Sequence, residues 1–179
     1  MGKQLIAYFS VTGTTKKAAE ALAAATGAVV FAIEPAVPYT HADLNWTDRN
    51  CRWFAEFRDS AFRPQIAGHV TNMPEYDTIY LGFPIWGYRE PRIVDTFLEQ
   101  YDFDGKTIIL FATSGADGFG KTLRHVTGIL AAKHPQARTT VQESTVLVGH
   151  PTTEFRDGRI VVGELDKGEL RAWIGSLGF

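Results

Sequence analysis

Short apolar runs alternate with helix-favouring stretches from one end of the chain to the other. Gln4 to Phe9 reads as a strand buried on both faces. Lys16 to Ala25, rich in Ala, Leu, Lys and Glu, reads as a helix. Gly27 is a natural helix stop, and Ala28 to Ile33 makes a second strand ended by Glu34-Pro35. An irregular region from Ala36 to about Asn45 leads to a helix expected from Thr47 to about Ser60, with Trp46, Cys51, Phe54 and Phe57 near helical spacing. Met73 to Asp77 turns into a third strand, Thr78 to Phe83. Pro91 opens a helix from Arg92 to about Gln100. Asp104-Gly105 then feeds a fourth strand, Lys106 to Thr113. The loop Ser114 to Gly120 precedes a helix reaching about His134 and closed by Pro135. Thr145 to Gly149 is the fifth strand, Phe155 to Val161 a short hairpin around Asp157-Gly158, and Gly163 to about Leu177 a closing amphipathic helix.

No linker, repeat or low-complexity segment interrupts this alternation, so residues 1–179 are expected to form a single domain. The fold class it predicts is α/β: a five-stranded parallel sheet between two layers of helices, doubly wound. Such sheets bind ligands at the carboxyl ends of their strands. Three loops leave those ends: Ser10 to Thr15, Pro84 to Tyr88, and Thr113 to Phe119.

The first of these loops carries the strongest chemical signal. Ser10, Thr12, Thr14 and Thr15 surround Gly13 between a buried strand and a helix start. Unpaired N–H groups of a first helical turn and the positive end of the helix dipole favour a phosphate, hydroxyls add donors, and glycine lets the backbone come close. A helix cap with an ordinary turn is the competing reading. The loop lacks the Gly-Lys-Ser/Thr ending of a Walker loop and the three glycines of a dinucleotide fingerprint.

Trp86, just beyond the third strand, either stacks on a planar ligand or packs over a helix end; Tyr88 is a second aromatic candidate. Thr113, Ser114, Gly115, Asp117 and Gly118 offer backbone N–H groups and small side chains to a ring edge, or form a plain strand-to-helix loop. Gly-x-Ser-x-Gly is absent, so Ser114 is not the nucleophile of an elbow. His41, His69, His125, His134 and His150 show no ligand spacing, and no metal is expected.

Composition narrows the picture further. A chain of 179 residues, 45% hydrophobic and 21% charged, can bury a sizeable core. A net charge of −2 suggests neither a nucleic-acid surface nor a polybasic membrane patch. No apolar run approaches the roughly 20 residues of a membrane span, and Met1-Gly2-Lys3 leads straight into a strand without a signal peptide. The lone Cys51 fits a reducing cytoplasm and is read as structural or incidental.

These residues also resemble a known family. Ser10-Val11-Thr12-Gly13-Thr14-Thr15 is similar, position by position, to the Thr/Ser-x-Thr-Gly-x-Thr loop with which flavodoxins hold the phosphate of FMN. Gly82-Phe83-Pro84-Ile85-Trp86 resembles their Gly-x-Pro-x-Trp element, whose Trp covers one flavin face. Tyr39-Thr40-His41-Ala42-Asp43-Leu44, Arg63-Pro64, Phe97-Leu98-Glu99, Gly105-Lys106-Thr107 and Thr113-Ser114-Gly115 resemble a bacterial branch described as flavodoxin family proteins or NAD(P)H-dependent oxidoreductases. After Trp86 this chain departs from that branch, with Gly87-Tyr88-Arg89-Glu90 in place of Trp-Gly-x-Ala.

The resemblance implies strand order 2-1-3-4-5, FMN as cofactor, and contacts from the three loops: Ser10, Thr12, Gly13, Thr14 and Thr15; Pro84, Ile85, Trp86, Gly87 and Tyr88; and Thr113, Ser114, Gly115, Asp117 and Gly118. Gly87 would ease a peptide flip beside the flavin ring. The chemistry would be the cofactor's, with no protein nucleophile. Two roles follow: an enzyme using NAD(P)H to reduce a small acceptor such as a quinone, or an electron carrier between protein partners. A small charge, and a Pro35 to Gln65 region long enough to wall a pocket, point to the enzyme. An FMN-free binding module is the third reading.

Overall fold

The computed structural model describes residues 2–115, 118–150, 154–156, 159–161 and 164–178. Five parallel strands, β1 (Lys3–Tyr8), β2 (Val29–Ala32), β3 (Tyr76–Pro84), β4 (Thr107–Ser114) and β5 (Thr140–His150), stand in the order 2-1-3-4-5. The expected five-stranded parallel sheet with flavodoxin order is therefore present. Two additions follow β5. A hairpin pairs β6 (Glu154–Arg156) with β7 (Arg159–Val161), and β8 (Glu164–Leu165) adds an antiparallel sixth strand beside Gly149 and His150. The hairpin's turn, Asp157-Gly158, lies outside the described residues.

Period-two alternation divides each central strand between two cores. Leu5, Ala7, Ile79, Leu81, Phe83, Ile108, Leu110 and Ala112 face the layer of α3 (Arg92–Gln100) and α4 (Thr122–Lys133). Ile6, Tyr8, Tyr80 and Phe111 face the layer of α1 (Thr14–Thr26) and α5 (Lys167–Ser176). Gly82 is needed in the second core, because a Cβ there would stand 2.1 Å from the Phe111 ring. That ring packs on Trp173 of α5 at 5.2 Å. In α1, Thr15, Ala18, Ala19 and Leu22 form the buried i, i+3, i+4, i+7 stripe, and Gly27 closes the helix with φ 69°.

Three elements differ from the sequence reading. The helix expected from Thr47 is only α2 (Arg52–Arg58). Side chains of Asn45 and Asp48 accept N–H bonds from Thr47 and Asn50, so residues 45–50 stay in turns. Cys51 caps α2 by accepting from the Phe54 N–H at 3.3 Å. The residue α2 buries is Glu56, while Trp46 and Phe57 remain half exposed. Strand β5 starts five residues earlier than expected, at Thr140, and a register shift between Leu110 and Phe111 leaves Ser144 outside the paired positions. Ser144 accepts the Trp173 indole N–H at 2.8 Å. The last helix begins at Lys167, where Asp166 caps the Glu169 N–H at 2.8 Å.

Between β2 and β3 the chain makes an excursion that leaves the sheet at Pro35 and returns at Ile66. Its neck is closed by an antiparallel bridge between those two residues, with Ala36 N–H on Gln65 O and Ala67 N–H on Glu34 O. Arg63 and Glu99, from two of the family-like segments, meet here through two bonds of 3.0 and 2.8 Å. No helix among the described residues is long and apolar enough to cross a membrane.

Candidate functional site

The β1–α1 loop keeps its polar groups available. Gly13 takes a left-handed φ of 89°, reaching the start of α1 through a conformation that a side chain would strain. The helix N-terminus has no side-chain cap and no acidic residue in its first turn. Ser10 Oγ instead accepts the Gly13 N–H at 3.1 Å, which shapes the loop one residue ahead of the helix. Thr12 is exposed and Thr14 half-buried, and their hydroxyls stand 3.3 Å apart. The N–H groups of the first turn and these two hydroxyls form a neutral, donor-rich end on a helix dipole.

Thr15 has a different place. Its hydroxyl is buried and bonds the buried Thr113 hydroxyl at 2.8 Å, tying the first loop to the third. Ser114 and Gly115 are half-buried and Gly118 is exposed; Asp117 lies outside the described residues. Ile85 N–H donates to Thr113 O at 2.9 Å, so the second and third loops are joined as well.

The second loop is a tight turn. Trp86 and Arg89 form an isolated bridge, and both central residues, Gly87 and Tyr88, have positive φ, 59° and 67°. That is the type I′ signature, and Tyr88 is its only non-glycine positive φ among the described residues. Trp86 points inward: its half-buried ring meets Phe9 and Tyr39 edge-on, at 5.5 Å from each. Pro84 and Ile85 are half-buried beside it. Tyr88 points outward with 63% of its surface exposed. Its carbonyl accepts the Lys121 N–H at 3.0 Å, and Gly120 is required opposite, where a Cβ would lie 2.6 Å from that carbonyl oxygen. A Cβ on Gly87 would stand 2.4 Å from the Phe57 ring. A substitution at Gly87 therefore collides with α2 as well as straining the turn, and cannot report on a peptide flip alone.

Behind this turn lies a network of buried charge. Arg89 bonds Asp95 at 2.8 Å and also Glu90; Arg92 bonds Asp95 at 3.2 Å and the Glu56 carbonyl at 2.9 Å. Glu56 accepts Arg52 at 2.8 Å and the Tyr39 hydroxyl at 2.8 Å, with the Arg52 guanidinium 3.8 Å above the Tyr39 ring. Burial first, and then the Asp95 charge, push the Glu90 carboxyl up to about 8. Burial also raises Glu56 and lowers His125, whose Nδ1 is 3.6 Å from Glu90. Sequence reading missed these carboxylates because Glu90 sits in a polar turn that looks solvent-facing and Glu56 sits among aromatics that look like the buried face of α2. Among the described residues, no group of three or more His, Cys, Asp or Glu is placed to hold a metal ion.

The geometry has counterparts in known proteins. The flavodoxin family model matches residues 3–137. This chain belongs to the flavodoxin family. A suspected flavoprotein from Bacteroides uniformis ATCC 8492 is 37% identical, with 97% of this chain and 98% of that one covered and a TM-score of 0.77. Another, from Bacteroides eggerthii DSM 20697, is 35% identical over 100% of this chain and 99% of that one, with a TM-score of 0.75. A Lactobacillus acidophilus NCFM flavoprotein, solved in complex with FMN, shares the fold at 20% identity and a TM-score of 0.64, covering 82% and 93%. No curated protein matches the chain. In this flavodoxin-family chain the departure at Gly87-Tyr88-Arg89-Glu90 amounts to one outward aromatic ring on a turn anchored by buried charge.

Proposed function

We propose that this flavodoxin-family chain binds FMN and works as an NAD(P)H-dependent oxidoreductase that reduces a small planar acceptor such as a quinone. The observation that carries the reading is the uncapped, acid-free N-terminus of α1 behind the left-handed Gly13. The donor set suits a phosphate ester: N–H groups, the Thr12 and Thr14 hydroxyls and the positive end of a helix. The FMN-bound relative of the same fold supports the choice of cofactor.

In this reading the first loop holds the phosphate, Ser10 shapes that loop, and the Thr15–Thr113 bond fixes the third loop beside it. Tyr88 is assigned the open face of the flavin ring; Trp86, held edge-on by Phe9 and Tyr39, supports the turn from below. Backbone groups of Ser114, Gly115 and Gly118 face the ring edge. The bound flavin supplies the electron transfer, and the protein binds, orients and shields it. A planar acceptor is favoured by the aromatic wall of α2, where Trp53 and Phe57 stack at 5.3 Å and 5° against the Gly87 turn.

Loading purified protein with excess FMN, removing free ligand by gel filtration and recording the visible spectrum tests the cofactor. One flavin retained per chain is expected, followed by NAD(P)H oxidation that depends on added quinone. Retained flavin without turnover would favour an electron carrier between protein partners. A colourless protein would favour the FMN-free binding module.

A further inference from the structure

A second concave site lies on the outer side of the β3–α3 turn, between α3 and α4. It is a groove of about 620 Å³, within the size range of small-molecule sites. Arg63, Arg89, Arg92, Arg124 and Lys133 line it, against the carboxylates of Asp95 and Glu99. Five cationic side chains against two carboxylates leave an excess of three positive charges on the lining, on a chain whose net charge is −2.

The charges are arranged as well as numerous. Glu99 and Asp95 hold Arg63, Arg89 and Arg92 in fixed positions through bonds of 2.8 to 3.2 Å. Arg124 and Lys133 have no ion-pair partner among the described residues. His125 is also on the lining, but its buried Nδ1 is turned to Glu90 at 3.6 Å. A site with oriented guanidiniums and free cations suits a phosphate, which takes charge-assisted bonds from arginine forks.

Between Arg124 and Lys133, α4 also contributes an apolar strip to the groove. Gly128, Ile129 and Ala132 form it, and above Gly128 there is open space, with nothing within 4 Å of where a Cβ would stand. Glycine in the middle of a helix costs about 1 kcal/mol relative to alanine. Here no backbone turn requires it, since its φ is not positive. What its small size provides is room beside the cations.

We propose that this groove binds a phosphate monoester carried on a flat apolar body, the chemistry of a mononucleotide, with the phosphate on Arg124 and the neighbouring arginines and the flat body over Gly128. The proposal does not depend on the flavin reading, because no residue of the β1–α1 loop takes part.

Titration calorimetry with AMP and with adenosine, on protein loaded with FMN and freed of unbound flavin by gel filtration so that none competes for the groove, tests it. Saturable AMP binding is expected, at least about tenfold tighter than adenosine and weakened by salt. Arg124→Glu is expected to lower AMP affinity about tenfold or more. Gly128→Leu, whose Cβ stands in open space and whose side chain extends into the groove, is expected to abolish AMP binding while the thermal midpoint stays level or rises. Equal affinity for AMP and adenosine, no AMP binding, or AMP binding unchanged in both variants would overturn the proposal. Whether the protein retains FMN is read separately from its visible spectrum, so failure of the flavin reading leaves this test intact.

Discussion

The loops leaving β1 and β3 flank the same site with opposite chemistry. The β1 loop is neutral, made of hydroxyls, backbone N–H groups and a left-handed glycine with nothing within 4 Å of where a Cβ would stand. The β3 turn is aromatic and rests on buried charge, with Arg89, Glu90, Arg92 and Asp95 packed beneath it. One loop is shaped by its own residues; the other is held by distant ones. The difference teaches where affinity and rigidity are separated: the first loop can lose a donor without unfolding, whereas the second cannot lose a charge partner without leaving another charge stranded.

The largest effect is expected at Asp95, which is 1% exposed and receives Arg89 and Arg92. Asp95→Ala should cost about 3–5 kcal/mol in urea unfolding, because it leaves the buried Arg92 without a carboxylate partner and Arg89 with Glu90 alone. A loss below about 1 kcal/mol would show that the network carries no rigidity.

Next is the pH response of Glu90, whose carboxyl is pushed up to about 8 by burial and by Asp95. A carboxyl with a raised folded value keeps a proton that the unfolded chain releases, so stability falls as pH rises from the ordinary carboxylate range toward 8. The slope from this one group is at most about 1.4 kcal/mol per pH unit. Glu90→Gln should flatten that decline in denaturation curves between pH 5 and 8. Arg89, Asp95 and His125 remain in both proteins, so the difference between them isolates Glu90.

A smaller effect is expected at Thr15. Thr15→Val removes the 2.8 Å bond to Thr113 and leaves that buried hydroxyl unpaired, costing about 1–3 kcal/mol of stability by thermal or chemical unfolding. The smallest lies in the β1 loop itself. Thr12→Asp places a carboxylate at an open helix N-terminus, where it stabilises the helix by a few tenths of a kcal/mol to about 1 kcal/mol. The same carboxylate repels a phosphate, so FMN affinity should fall about tenfold while riboflavin affinity is unchanged, read by flavin fluorescence quenching.

The contrast between the loops also explains what was legible in the sequence. The β1 loop could be read because glycine, hydroxyls and an alanine-rich helix act within a dozen residues. The sheet order followed from the alternation of elements together with the family resemblance. The posture of Trp86 could not be read, since it depends on Tyr39, which arrives from the excursion after β2. The bond from Thr15 could not be read for the same reason, because its partner Thr113 is 98 residues away. In α2, apolar spacing suggested a buried aromatic face, but the Tyr39 hydroxyl and α2's own Arg52 satisfy the Glu56 carboxylate and Arg92 bonds its backbone carbonyl, so Glu56 went inside. The first half of β5 reads as a polar loop, yet Thr140 to Glu143 pair with Thr107 to Leu110 at the sheet's edge. Local chemistry is visible in a sequence; partners brought together by topology are not.

If the α1 N-terminus holds a flavin phosphate, the phosphate must carry much of the affinity for the cofactor. Equilibrium titration of the unmodified protein with FMN and with riboflavin, followed by fluorescence, tests it directly. One FMN per chain is expected at the β1–α1 loop, bound about a hundredfold or more tighter than riboflavin, which lacks the phosphate. Equal affinities for the two flavins, or binding of neither, would contradict it.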